Sequence, residues 1–126
     1  MAQGIVSAKL VLLLVVGILY LLTITKPAYA TVFTVGDAKG WTFNVKNWPE
    51  GKSFKAGDVL AFNYDKERHN VVVVSKEGYD KCYEPTPSKV YQTGNEKISL
   101  ASGPNYFICS FPAHCHNGVK IAVNAS

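Results

Sequence analysis

The chain has 126 residues, 48% hydrophobic and 17% charged, with 13 Lys and Arg against 9 Asp and Glu and a net charge of +4. The basic residues alternate with acidic ones ("DKER", "SKEGYDKCYE") instead of gathering on one face, which excludes the electrostatic footprint of a nucleic-acid binder. Three histidines are too few for a trinuclear copper cluster and its additional sites, so a multicopper oxidase is excluded as well.

Residues 1–30 read as a cleaved secretory signal peptide. Lys9 is the only charge ahead of the apolar run "LVLLLVVGILYLL", and the segment closes on Ala28-Tyr29-Ala30, a small-x-small pattern that signal peptidase accepts. The run is shorter than the ~20 residues a spanning helix needs. Export is therefore expected, with no membrane association after cleavage. With Lys9 and Lys26 in the leader, the eleven remaining basic residues against nine acidic ones leave the mature chain a net charge of +2. Residues 31–126 suit one domain with one modest core.

The mature chain carries the periodicity of strands. "TVFTV" (31–35), "VLAFNY" (59–64), "HNVVVVS" (69–75), "KISL" (97–100), "NYFICSF" (105–111) and "VKIAV" (119–123) are short and rich in β-branched or aromatic residues. Gly, Pro, Asn and Asp punctuate the intervals ("AGD", "TPS", "TGN", "SGPN"). No stretch shows a sustained 3.6-residue apolar stripe. An all-β sandwich or barrel is predicted, with room for short helical turns in the connections Trp41–Lys55 and Glu77–Lys97.

Cys82, Cys109 and Cys115 are an odd number, so at most one internal disulfide forms and one thiol stays free. Cys109 shares strand parity with Phe107 and Phe111, and burial as a small hydrophobe would account for it alone. His69, at the head of four valines, would likewise pass as a core or edge residue. The stretch "CSFPAHCHNGV" (109–119) changes both readings, because Cys109 is followed five residues later by His114. A distant histidine on one strand, with a cysteine and a histidine flanking a short loop, is the layout of a mononuclear His₂Cys copper site. The spacing alone is moderately specific.

The segments "GWTFNVKNWPEGKSFKAGDVLAFNYDKERHNVVVVSKEGYDKC", "KVYQTGNEKISLASGPNYFICSFPAHC" and "VKIAVNA" resemble the plantacyanins, the basic blue proteins of the phytocyanin branch of the cupredoxins. The resemblance covers essentially the whole mature chain. It implies a cupredoxin-like Greek-key β-sandwich and one copper ion, cycling between Cu(I) and Cu(II), held by His69, Cys109 and His114. These donors are expected about 3–4 Å apart at one end of the sandwich, with His114 nearest to solvent. The resemblance also implies a Cys82–Cys115 disulfide that leaves Cys109 as the thiolate. A local Cys109–Cys115 bond is the alternative, and it would remove the only thiolate. Asn70 is implied to lock the ligand loops through hydrogen bonds.

One position departs from the family. Its axial ligand, Met or in a sub-branch Gln, stands five residues after the loop histidine, where this chain has Val119, a side chain without a donor atom. Val119 also shares parity with Ile121 and Val123 on a core-facing strand. Met1, the only methionine, leaves with the leader. His116 is the one nearby replacement donor, set against the reading of a solvated loop histidine. Trp41, Phe43, Phe54, Phe62 and Tyr64 are expected in the core. Asn124-Ala125-Ser126 forms a glycosylation sequon at the extreme C-terminus. No apolar tail follows it, so no GPI-type anchor is expected.

These readings predict a secreted, non-enzymatic, monomeric copper protein of the apoplast or cell wall that transfers electrons. Its partner is expected to be a redox protein, a small-molecule reductant or oxidant, or another extracellular or cell-wall protein. The alternative is a non-redox extracellular signalling or interaction module with a structural or weakened copper site, a class that plantacyanin-like proteins linked to pollen–pistil communication bring into view. A Cys/His hydrolase lacks an orienting Asp or Asn and an oxyanion feature. Zinc in the same site would add water as its fourth ligand.

Overall fold

A computed structural model describes residues 7–24 and 29–126. Of the expected leader, residues 1–6 and 25–28 lie outside the described residues, Ala28 of the Ala-Tyr-Ala motif included. An apolar helix, α1 (Ala8–Ile24), occupies the leader's hydrophobic run. Among the described residues no helix is long and apolar enough to cross a membrane.

The rest forms two sheets face to face. The strands are β1 (Val32–Thr34), β2 (Val59–Asn63), β3 (Val71–Val74), β4 (Lys89–Tyr91), β5 (Asn95–Ser99), β6 (Gly103–Ile108) and β7 (Lys120–Ala125), with a helix α2 (Lys76–Lys81) between β3 and β4. One sheet has the order β1-β2-β5 and the other β4-β3-β6-β7. Among the described strands the β1–β2 ladder is parallel and the other ladders are antiparallel. The predicted segments contain β1, β2 and β3 and overlap β5, β6 and β7, while β4 falls in none of them; the fold class is the cupredoxin-like sandwich.

Alternation explains which faces meet. In β7, Ile121, Val123 and Ala125 are buried while Ala122 and Asn124 face solvent, the period-2 pattern of a half-buried strand. The main core packs Trp41, Leu60, Phe62, Val71, Phe107, Cys109, Val119 and Ile121 between the sheets. Trp41 meets Phe62 edge to face with centroids 5.1 Å apart. As expected, Trp41, Phe54 and Phe62 are buried. Phe43 and Tyr64 are only half-buried and pack against the core from its margin.

The β4-β3-β6-β7 sheet is also covered on its outer face. Val72, Ile108 and Cys115 form a second buried cluster, flanked by Val74, Tyr79 and Cys82. The cover is α2, which is too short to be stable alone. Ser75 caps it by accepting from the Gly78 N–H at 3.2 Å. Gly78 lets it lie close, since a Cβ there would meet Val74 Cβ at 2.9 Å. Cys82 ends it in a left-handed conformation (φ 53°).

Candidate metal centre

Neighbouring strands bring the candidate donors together. The β3–β6 ladder pairs Val72 with Ile108, which places His69, just before β3, beside Cys109, just after β6. A turn fixes His69, whose N–H donates to the Asp65 carbonyl at 3.0 Å. The chain after Cys109 coils into tight turns, with His114 N–H donating to Phe111 O and Asn117 N–H to His114 O. This coil aims consecutive side chains in opposite directions. His114 points back to Cys109, and Cys115 points to the outer cluster, where it is bonded to Cys82. Cys109 is the free thiol and is fully buried.

The Cys109 sulfur lies 3.8 Å from His69 Nδ1 and 3.7 Å from His114 Nδ1, and the two nitrogens are 3.2 Å apart. With metal–nitrogen bonds of about 2.0–2.1 Å and a metal–sulfur bond of about 2.3 Å, donors in a trigonal plane stand about 3.6 Å (N to N) and about 3.8 Å (N to S) apart. One thiol and two imidazole nitrogens at these separations fit one copper ion. Among the described residues this is the only cluster of its kind. His69 is 4% exposed and Cys109 0%, while His114 is partly buried.

Electrostatics favours the neutral donors. Burial pushes the His69 imidazole below its ordinary value, and His114 and Arg68 act in the same direction. Its ring therefore keeps a free lone pair at neutral pH. Burial raises the Cys109 thiol, offset in part by backbone hydrogen bonds from Asn70 and Phe111. A metal ion has to displace that proton on binding.

Asn70 ties the two halves of the site together. Its Oδ1 accepts from the Ser110 N–H at 2.8 Å, its Nδ2 donates to Ser110 Oγ at 2.8 Å, and its carbonyl accepts from Trp41 Nε1 at 2.8 Å. Asn70→Ala removes both links to Ser110 and leaves that N–H without its partner. We expect a loss of about 1–3 kcal/mol of stability and a fall of roughly 10–100-fold in copper affinity. Thermal unfolding of the apo-protein and a chelator competition read the two effects, and unchanged values in both would show that Ser110 is held without Asn70.

Two aromatic walls were not legible as part of the site. Phe43 sits edge-on to His114 and His69, with centroids at 4.8 and 5.3 Å, instead of lying deep in the core. Phe111 stacks on His114 at 5.7 Å. Phe43 arrives there because its segment docks under the ligand loop, where Val45 N–H donates to Gly118 O at 3.0 Å. Gly118 (φ 87°) permits the approach, since a Cβ would meet the Asn44 backbone at 3.0 Å. Nothing in the local pattern of "GWTFNV" marks that role. His116 is exposed, outside the donor cluster, and lines a surface groove with Lys46 and Asn47.

Residues 41–119 match the family of plastocyanin-like domains. Over 126 residues, the full length of both chains, the sequence is 48% identical to the chemocyanin of Lilium longiflorum. It is 54% identical over 94 residues to the basic blue protein of Cucumis sativus, covering 75% of this chain and 98% of that one. The solved structure of the cucumber basic protein, a blue copper protein, superposes with a TM-score of 0.75 at 53% identity, over 76% of this chain and 100% of the other.

Proposed function

The chain belongs to the plastocyanin-like copper-binding family, among the plantacyanins or basic blue proteins of the phytocyanin branch, and on that premise we propose that it is a secreted electron carrier with one copper ion and no catalytic activity. The observation that carries this reading is the meeting of two imidazoles and one buried thiol, from residues 45 positions apart in the chain, within 3.8 Å. His69, Cys109 and His114 would hold the ion. When bound, copper supplies one-electron chemistry between Cu(I) and Cu(II).

The protein's part is to hold the donors still. The Asn70–Ser110 hydrogen bonds, the coil after Phe111 and the Cys82–Cys115 bond fix the loop from both sides. Burial of His69 and Cys109 keeps water from the donors. His114 is the partly buried member of the three and would serve as the electron port. In this reading Val119 would stand where the family has its axial ligand and would offer the ion no donor atom. The Cys109 N–H donates to the Val119 carbonyl at 3.0 Å, continuing the β6–β7 ladder by one pair. Directly opposed residues of such a ladder share a face, and both side chains lie in the main core.

We further propose that residues 1–30 are removed on export and that the domain 31–126 works outside the cell, in the apoplast or cell wall, as a monomer. Its partner would be a redox protein, a small-molecule reductant or oxidant, or an extracellular protein. The boundary is supported by the cucumber structure, which is matched from end to end by 76% of this chain.

Metal analysis and a visible spectrum of the purified protein test the reading. The expected result is one copper per chain and an intense thiolate-to-copper band. A colourless protein carrying zinc would overturn it. A second reading, an extracellular interaction module with a structural or weakened site, draws on the absence of a donor atom at Val119. Voltammetry separates the two, since only the carrier gives a reversible one-electron wave.

A further inference from the structure

Asp58 is a buried carboxylate, 6% exposed, with both oxygens engaged. Oδ1 accepts from the Thr31 N–H at 3.0 Å and Oδ2 from the Lys55 N–H at 2.9 Å. The backbone on each side is fixed independently of what precedes Thr31. Asp58 N–H donates to Lys55 O, Leu100 N–H donates to Asp58 O, and Val59 N–H donates to Thr31 O, all at 2.8–2.9 Å. The Thr31 nitrogen is thus held at the carboxylate by the β1–β2 register itself.

Thr31 is also the first residue after Ala30. We propose that Asp58 is the receptor for the α-ammonium group created by cleavage of the Ala30–Thr31 bond, so that maturation turns a hydrogen bond between an uncharged amide N–H and the carboxylate into an ion pair. This rests on the proposed removal of residues 1–30. In the cleavage, water adds across the Ala30–Thr31 amide under a signal peptidase. The new carboxylate leaves on Ala30, and the nitrogen stays on Thr31 and takes up a proton, since an α-amine ordinarily titrates at about 7.7–8.0.

The place suits such a pair. Tyr29 and Ala30 line a surface depression of about 540 Å³ with Lys55, Ala56, Gly57 and Asp58. Their departure leaves the remaining N–H bonds of the ammonium open to water while one stays on Asp58. The amide N–H bond to the ionised carboxylate is already charge-assisted, and the ammonium adds the Coulomb attraction of a second, opposite charge. The strand it holds needs the help: β1 has three residues, lies at the sheet edge, and buries little.

The sign of the pH dependence follows from both partners. The carboxylate is held below its ordinary value by the Lys55 and Thr31 N–H groups, with the Lys55 charge adding to them. Its share of stability is present above the ordinary Asp value of about 3.9 and is lost as pH falls through the lowered one. The α-amine is raised by the carboxylate, so its share is complete below about 7.7 and is lost as pH rises through the raised value. Lys55 is the other charged group facing the pair.

The test compares residues 31–126 bearing a free amine with the same domain retaining Tyr29-Ala30, which keeps an amide at Thr31. No residue before Phe33 lies in or against the main core, and 76% of this chain matches the whole of the cucumber structure, so both chains fold. We expect the free-amine form to melt higher near pH 6–7 by on the order of 4–8 °C in a domain of this size. The difference should vanish at alkaline pH and in the Asp58→Asn pair. An NMR titration of the Thr31 amine, which needs no substitution, should give a value above the ordinary range. An amine titrating at or below that range, or Asp58→Asn lowering both forms equally, overturns the proposal. Sequencing the amino terminus secreted from the full chain tests the premise separately. A first residue other than Thr31 overturns the maturation step even where the pair forms in the shortened domain.

Discussion

Replacing Cys82 and Cys115 together by alanine lowers the stability of the domain by about 2–5 kcal/mol. The bond closes a loop across 33 positions, for which the chain-entropy relation gives roughly 4 kcal/mol. In a domain of this size that is a fall in melting temperature on the order of 10–30 °C. The pair is changed together because either single substitution would free a second thiol, and Cys115 freed alone would lie six residues from Cys109. The lost bond also matters for the site. Cys115 neighbours His114, and its sulfur anchors the ligand loop to the end of α2 over Val72 and Ile108. Copper binding should therefore weaken along with the fold. Urea unfolding of the apo and copper-loaded forms measures both. A change below about 1 kcal/mol would mean that the hydrogen-bonded turns from Phe111 to Gly118 hold the loop without the disulfide.

Val119→Met lowers the reduction potential of the copper protein, and Val119→Gln lowers it further. An axial donor adds electron density and favours Cu(II), the harder and more highly charged state, and an amide oxygen is the harder of the two donors. Val119 is buried and has no donor atom; in the proposed axial position it would exclude water as well, leaving Cu(I), content with three ligands, relatively better off. At ~59 mV per tenfold change in relative affinity for one electron, an axial preference of about 1.4–3 kcal/mol corresponds to roughly 60–130 mV. Voltammetry on the three proteins reads this directly. A potential that is unchanged or higher in both variants would show that Val119 does not occupy the axial position.

Much of this architecture is legible in the sequence because it is local. The apolar run Val59–Phe62 and the alternation through Lys120–Ala125 each specify a strand whatever the rest of the chain does. β4 is different. Its residues "KVY" leave Lys89 and Val90 exposed and carry no pattern of their own. They become a strand because β3 offers an edge that pairs Val71 with Tyr91. Helix α2 is similar: "KEGYDK" has no apolar stripe, and it forms where Ser75 caps it and a hydrophobic face waits underneath.

The site divides the same way. Histidine and cysteine counts, and the five-residue step from Cys109 to His114, determined by themselves what chemistry the chain can offer. They left open which sulfur would be free and whether His69 would reach it. The tertiary structure decided both. Pairing of β3 with β6 carries His69 across 40 positions to Cys109, because burying Val71 and Phe107 between the sheets admits one register. The coil after Phe111 turns Cys115 outward to Cys82 while Cys109 stays inward. Phe43 became a wall of the site through hydrogen bonds to a loop more than seventy residues away, between Val45 and Gly118. Local sequence sets periodicity and donor chemistry. Contacts between distant segments exist only once burial has chosen which faces meet, and these contacts assemble the metal site.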